Sequence, residues 1–227
     1  MKQMTEVRDT AVKREDILTY NNVPVLKYRI QYPRFTWKNS KRGPEKINRF
    51  YEKRAEDNIE KIKTDLFDAA VGDYNYSIEN KYPVRVYEVV SEYSFEYNGN
   101  CILSLYTDNY EYTGGAHGNT LRVSETWDLR RSARLQLSAL FPENYDYESE
   151  LKSRVIMQIE EREKENPFTF FEDYEYLVEK YFNPENFYLT PEKLVIYFEQ
   201  YEIGPYASGI QRFYFPYDSV NATVPRC

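Results

Sequence analysis

The sequence predicts an α+β protein made of two closely packed halves, each an antiparallel sheet with helices packed on one face. Three observations carry that expectation: an amphipathic helix after Gly43-Pro44, strand-like runs on both sides of Asn98-Gly99-Asn100, and a second set of helices and strands after Arg130. Helical and strand periodicities thus recur in each half, without a repeat of fixed length or a long linker.

Residues 1–20 lack periodicity and are expected to form a mobile arm. From Val25, VLKYRIQY alternates, placing Leu26, Tyr28, Ile30 and Tyr32 on one face of a half-buried strand. Pro33 is expected to limit further pairing there, because proline donates no hydrogen bond. In the helix after Pro44, Ile47, Phe50, Tyr51, Ala55, Ile59, Ile62, Leu66 and Phe67 recur at three- and four-residue spacing. Charged residues fill its other face, so it should lie on a sheet. The runs Val84–Tyr97 and Cys101–Tyr112 read as a hairpin turning at Asn-Gly, a pair that tolerates positive φ. A third strand is expected over Thr120–Leu129, with Leu121, Val123, Trp127 and Leu129 in alternation.

A helix follows around Tyr147–Lys164, with Leu151, Val155 and Ile159 as its buried stripe and Asn166-Pro167 at its end. A shorter one starts near Asp173, an N-cap candidate. The run LVIYFEQYEI is apolar on both faces and suits a central strand; Ile210–Phe215 reads as another. These elements divide the chain into an arm (1–20), a strand–helix–hairpin domain (21–118), a second domain (119–217) and a tail (218–227).

Composition bounds the function. The 227 residues are 41% hydrophobic and 30% charged, enough to bury a core. No apolar run approaches the roughly twenty residues of a membrane span, and no signal peptide is visible at the amino end. Thirty basic against thirty-seven acidic residues disfavour nucleic acid, whose phosphates are held by Lys and Arg. Between Pro142 and Glu179 twelve acidic residues face four basic ones, a local sum of −8 that would attract a cationic partner or simply solvate a helix. Tyrosine, at 24 residues, fits a recognition surface as well as half-buried strands. The two cysteines, Cys101 and Cys227, leave pairing and redox compartment open.

Five of the eight glycines lie in two clusters, Thr113-Gly114-Gly115-Ala116-His117-Gly118-Asn119 and Gly204-Pro205-Tyr206-Ala207-Ser208-Gly209. The first holds the only histidine, and its backbone N–H groups could form an anion-binding nest. A lone histidine can act as acid–base group or metal ligand, or can simply fix its loop. No HExxH, GxSxG, GxGxxG or P-loop pattern occurs, so neither a metal nor a cofactor is expected.

The string Tyr112–Asn119, the following Trp127-Asp128-Leu129 and LQLSALF, and the ending Tyr201–Gly209 resemble the bacterial RsiV/PdaC-type extracytoplasmic module, over roughly residues 20–217. RsiV-like members are lysozyme-sensing anti-sigma factors, and PdaC-like members carry a peptidoglycan deacetylase. The resemblance implies a non-catalytic recognition module of the cell envelope, binding a cationic protein such as lysozyme or a peptidoglycan fragment. The candidate binding residues are Tyr112, Thr113, Gly114, Gly115, His117, Asn119, Tyr206 and Ser208, with the two loops forming one surface if the strand ends converge; the other reading of both loops is as fold-defining turns with no ligand. The alternative is a cell-wall hydrolase or deacetylase-related enzyme using His117 with a carboxylate. The sequence departs from the family pattern in showing no anchor, no sigma-binding segment and no deacetylase domain, and Arg130–Ala133 replaces a turn that usually carries glycine. The chain is expected to be soluble as given, in the envelope by resemblance, and cytoplasmic if complete as written.

Overall fold

The computed structural model describes residues 7–37 and 43–225. They form an α+β fold that divides into two compact units. The first runs up to Tyr93 and adds Thr107–Leu121; the second contains Ser94–Tyr106 and everything from Arg122 onward. This differs from the expected split after residue 118. The hairpin tip belongs to the second unit because Ile102 and Tyr97 pack into that unit's apolar core.

The first unit opens with two long antiparallel strands, β1 (Val7–Tyr20) and β2 (Val23–Trp37). Residues 7–20 are therefore a strand and not a mobile arm. Most of β1 is exposed, so its sequence never alternates between apolar and polar. Asn21 and Asn22, with φ of 49° and 63°, supply the two left-handed positions that a two-residue hairpin loop requires. Pro33 also corrects the expectation: β2 continues to Trp37, with Pro33 opposite Ala11. Its missing N–H is tolerated because the parallel pairing of β2 with β3 ends at Ile30.

The parallel pair is joined by a helical run comprising α1 (Gly43–Lys61), a π-turn (Ile62–Leu66) and α2 (Phe67–Asn80). Ile47, Tyr51, Ala55, Ile62 and Ala70 are buried, as the spacing predicts for the first four, so the run lies on the sheet through one apolar stripe. Asn48 fixes α1 to β2: its Nδ2 donates to the Phe35 carbonyl at 2.9 Å and its Oδ1 accepts the Phe35 N–H at 2.7 Å. Then come β3 (Tyr87–Gly99), β4 (Ile102–Tyr112) and β5 (Asn119–Asp128), in the order β1-β2-β3-β4-β5.

In the second unit, the far ends of β3, β4 and β5 continue to β6 (Ala133–Arg134). The β3–β4 turn sits one step later than Asn-Gly, at Asn100 and Cys101, with φ of 52° and 60°. Gly99 stays in the strand, and Asn100 Nδ2 donates to the Tyr97 hydroxyl at 3.2 Å. Cys101 is disulfide-bonded; Cys227, and with it the pairing left open by the sequence, lies outside the described residues.

The expected face of the third strand holds at Trp127 and Leu129, which are buried, and is corrected at the start of β5. Leu121 and Val123 are exposed at 56% and 43%, whereas Arg122 is buried with its guanidinium 3.7 Å from the Tyr106 ring centroid. Cation–π stacking and the delivery of the Arg122 N–H to the Glu199 carboxylate at 3.0 Å make the polar residue the inward one. In the glycine-free turn after Leu129, Ser132 adopts φ 48°. Asp128 secures that turn by accepting the Arg130 N–H at 2.9 Å and its guanidinium at 3.1 Å. Burial alone would raise the Asp128 carboxyl, but these bonds outweigh it and hold the group below the ordinary range.

The rest of the unit packs α3 (Tyr147–Glu165) and α4 (Tyr174–Tyr181) with a sheet of β7 (Phe187–Leu189), β8 (Lys193–Phe198) and β9 (Gln211–Pro216). Asp146 caps α3 by accepting the Ser149 N–H at 3.2 Å. Leu151, Val155 and Ile159 form the buried stripe, and β8 is central and buried from Leu194 to Phe198, both as expected.

Tyr87 gives the first unit a pH signature. Burial, then donation to Asp73 Oδ2 at 2.6 Å, pushes its phenol up to about 12. An unfolded tyrosine titrates near 10, so the native state retains a proton there that the unfolded chain loses. This contribution to stability is complete below pH 10 and disappears as pH rises through 12. Urea unfolding across that range should fall less steeply for Tyr87→Phe than for the wild type. Equal slopes would contradict the assignment.

Candidate functional site

The Gly–His loop lies in the first unit, between Tyr112 at the end of β4 and Asn119 at the start of β5. Gly114 takes φ 83°, the left-handed conformation that makes glycine the fitting residue there. Arg85 clamps the loop, its Nη1 donating to the carbonyls of Gly114 and, at 3.0 Å, Gly115. The loop thus turns carbonyl oxygens toward a cation, the reverse of the expected anion nest at those two residues. Gly118 is buried, and a Cβ there would overlap the Tyr110 ring.

His117 is exposed, with Nδ1 3.0 Å from the Gly118 carbonyl. A carbonyl can only accept, so Nδ1 carries the proton in that contact. Thr113 is exposed and Tyr112 half-buried. Beside the loop, a cleft of about 380 Å³ is lined by Gly114, Arg85, Asp73, Ser77, Tyr76 and Tyr82.

The Pro–Tyr loop belongs to the second unit. Ser208 Oγ donates to the Thr169 carbonyl at 2.7 Å, which commits its proton to a structural bond. The Phe171 N–H reaches Ile203 O at 3.0 Å. A Cβ on Gly204 would lie 2.6 Å from that same Thr169 oxygen, so the close approach excludes any side chain. Residues 203–208 and 169–171 are therefore laced together. The Tyr206 ring packs on Tyr201, centroids 5.7 Å apart.

Next to this lacing stands a residue the sequence did not single out. Phe168 is 88% exposed and adopts φ 68°, a conformation that bulky residues rarely enter. Glu163 holds it there, accepting the Phe168 N–H at 2.9 Å and the Phe170 N–H at 2.8 Å. Tyr201 also has positive φ, at 68°, and is 50% exposed. In sequence, Phe168 only follows the helix-ending Asn166-Pro167, and nothing in a phenylalanine announces a left-handed backbone. The acids of this stretch are largely solvent-facing: Glu160, Glu161, Glu165, Glu172 and Glu175 are exposed.

Among the described residues, no group of three or more His, Cys, Asp or Glu could hold a metal ion, and no helix is long and apolar enough to cross a membrane.

Comparison with known proteins divides the chain near the expected boundary after residue 118, so the hairpin tip Ser94–Tyr106 falls in the first matched segment although it packs in the second unit. Residues 20–120 match the family described as deacetylase PdaC, and residues 138–218 match a family of unknown function, DUF3298. A DUF3298-family structure from Bacteroides fragilis shares the fold with a TM-score of 0.68 at 20% identity, covering 94% of this chain and 91% of that one. A second, from Pseudomonas aeruginosa, gives 0.60 at 15% identity, covering 97% and 95%. No curated protein matches.

The two close approaches predict different costs. At Gly118 the obstacle is a tyrosine ring that can turn aside; at Gly204 it is backbone oxygen that cannot. Gly204→Ala should therefore cost about 2–3 kcal/mol and Gly118→Ala about 1 kcal/mol in thermal or urea unfolding. The opposite ranking would show that the Thr169–Gly204 contact is not the rigid one.

Proposed function

We propose that this chain, in which a PdaC-type segment is followed by a DUF3298 segment, is a non-catalytic recognition module that docks a basic protein of the lysozyme kind. The observation that carries this reading is Phe168, an apolar ring held almost wholly in water by a strained backbone. Such strain persists only where surrounding bonds impose it, and it concentrates at ligand-contacting sites. Aromatic anchors supply most of the energy at protein interfaces, and Phe168, Tyr201 and Tyr206 are of that type.

Charge supports a cationic partner. The acidic stretch around Phe168 would steer a basic protein toward the aromatic residues and speed encounter at low salt. Tyr206, backed by the bond of Ser208 to Thr169, is assigned as a docking residue. In this reading Ser208 and Gly204 position the loop without touching the partner. The Gly–His loop residues Tyr112, Thr113, Gly114, Gly115, His117 and Asn119 have a separate role in shaping the first unit's surface. The disulfide at Cys101 fits an oxidising, extracytoplasmic setting, where such bonds persist.

Titration with hen-type lysozyme at low and at physiological salt tests the proposal. Binding should be saturable and weaken with salt. Phe168→Ala and Tyr206→Ala should each reduce affinity by about tenfold or more, equivalent to about 1.4 kcal/mol. His117→Ala should bind like the wild type. Absence of a complex at tens of micromolar protein, or full affinity in both aromatic variants, would reject it.

A further inference from the structure

The two sheets treat their outer strands differently. On β9, backbone groups turned away from β8 are covered by α3: Gln158 Oε1 accepts the Tyr214 N–H at 3.4 Å, Gln158 Nε2 donates to Tyr214 O at 3.3 Å, and Arg162 Nη2 donates to Arg212 O at 2.7 Å. Strand β1, at the edge of the six-stranded sheet, runs for 14 residues with most side chains exposed. Asn48 takes both backbone groups of Phe35, which stands opposite Asp9. Asp9–Phe35 is therefore a non-hydrogen-bonded pair of the β1–β2 ladder, and by alternation so are Ala11–Pro33, Lys13–Gln31, Glu15–Arg29 and Ile17–Lys27. A proline opposite Ala11, with no N–H to give, fits that phase. The N–H and C=O groups of Asp9, Ala11, Lys13, Glu15 and Ile17 thus point away from β2, along the outer edge. Two of them are met from within β1: Asp16 Oδ1 accepts the Ile17 N–H at 2.9 Å, and Arg14 Nη1 donates to Lys13 O at 3.4 Å.

Such an edge is a template for a further strand, and its charges decide which strand fits. The middle of β1 reads Lys13-Arg14-Glu15-Asp16, two bases followed by two acids. Read antiparallel, that block is complementary to itself. Two copies joined edge to edge by a two-fold axis normal to the sheet pair odd residues with odd and even with even, so outward groups meet while the others stay with β2. With the axis at Arg14, in the middle of the strand, Lys13 stands opposite Glu15 of the second copy and Ala11 opposite Ile17, each pair formed twice. Ile17 is 60% exposed in the single chain, and this contact covers it. Arg14 meets the same residue of the second copy on the axis, a repulsion offset by Asp16 of each copy, which lies diagonally across within reach of a long side chain. A shift of two residues spoils the match. One direction sets Lys13 opposite itself and Arg14 opposite Val12; the other sets Glu15 opposite itself and shortens the overlap.

We infer that β1 is a self-association edge, through which two copies of this chain join antiparallel, centred on Arg14, into one continuous sheet. Backbone hydrogen bonds of Ala11, Lys13, Glu15 and Ile17 supply the affinity, and the Lys13–Glu15 pairs set the register and exclude strands of other sequence. Asp16 and Arg14, which shield the edge in the single chain, turn to each other across the axis in the pair. The surface lies in the first unit and does not depend on the docking proposal for the second.

Sedimentation equilibrium of the full chain, from about 10 μM to about 1 mM, tests the inference. A monomer–dimer equilibrium with a Kd of about 100 μM or tighter is expected. Ala11→Pro deletes an outward N–H without removing a bond of the β1–β2 ladder, and should weaken the dimer about tenfold or more. Lys13→Glu and Glu15→Lys should each weaken it about threefold or more, while the two together, which restore opposite charges across the axis, should return to within about twofold of wild type. Under mild oxidation Arg14→Cys should form a covalent dimer and Thr10→Cys should not, because only the former lies on the axis. All these positions are exposed, and unfolding curves of the variants establish that they remain folded. The inference is overturned by a monomer up to about 1 mM, by a dimer that Ala11→Pro and both single charge reversals leave intact, or by equal cross-linking of the two cysteine variants.

Discussion

One carboxylate organises the surface on which the docking proposal rests. Glu163, in the last turns of α3, accepts the N–H groups of Phe168 and Phe170 and so closes the chain into a tight bend just past the helix. Hydrogen bonds to a charged acceptor are the stronger kind, and two of them from neighbouring amides offset the cost of a left-handed phenylalanine. The bend turns the Thr169 carbonyl toward Ser208 and Gly204, and the Phe171 N–H toward Ile203. A helix end, a strained aromatic and a distant loop thus form one structure because a single side chain supplies what the backbone lacks.

The first unit uses the same device with the charge reversed. Arg85 gathers the carbonyls of Gly114 and Gly115, and Gly118 lets the Tyr110 ring lie against the backbone. In each unit a glycine-rich loop is tied to a segment far away in sequence, by the Arg85 side chain in the first and by the Ser208 hydroxyl and the Phe171 N–H in the second. That leaves aromatic side chains, Tyr76 and Tyr82 in one case and Phe168 and Tyr201 in the other, more exposed than their apolar character favours. Exposed rings on rigid supports lose little entropy on binding, which suits recognition.

Much of the fold was legible from periodicity. The buried faces of β2, α1 and α3 follow from alternation or three-to-four spacing, because each element presents one face to a core. What periodicity could not show is where long-range partners override it. Strand β1 is exposed along most of its length, so no apolar signal marks it, and the Asn21-Asn22 turn was the only local clue. On β5, Arg122 turns inward because Tyr106 and Glu199 receive it, and both lie elsewhere in the chain. The glycine clusters were visible as punctuation. Arg85, which clamps the first cluster, and Glu163, which shapes the segment to which the second is tied, were two charged residues among many, and the left-handed backbone of Phe168 is a consequence of Glu163 that no local pattern encodes.

Amide hydrogen exchange at Phe168, Phe170 and Phe171 tests this account most directly, since these N–H groups lie in a short segment that would otherwise exchange freely. The account predicts that all three are protected in the wild type, and that Glu163→Ala, which removes both acceptor oxygens, strips protection from Phe168 and Phe170 while leaving the core of β8 unaffected. Exchange of Phe168 and Phe170 at unstructured-peptide rates in the wild type would contradict it, and the exposed phenylalanine would then be an ordinary loop residue.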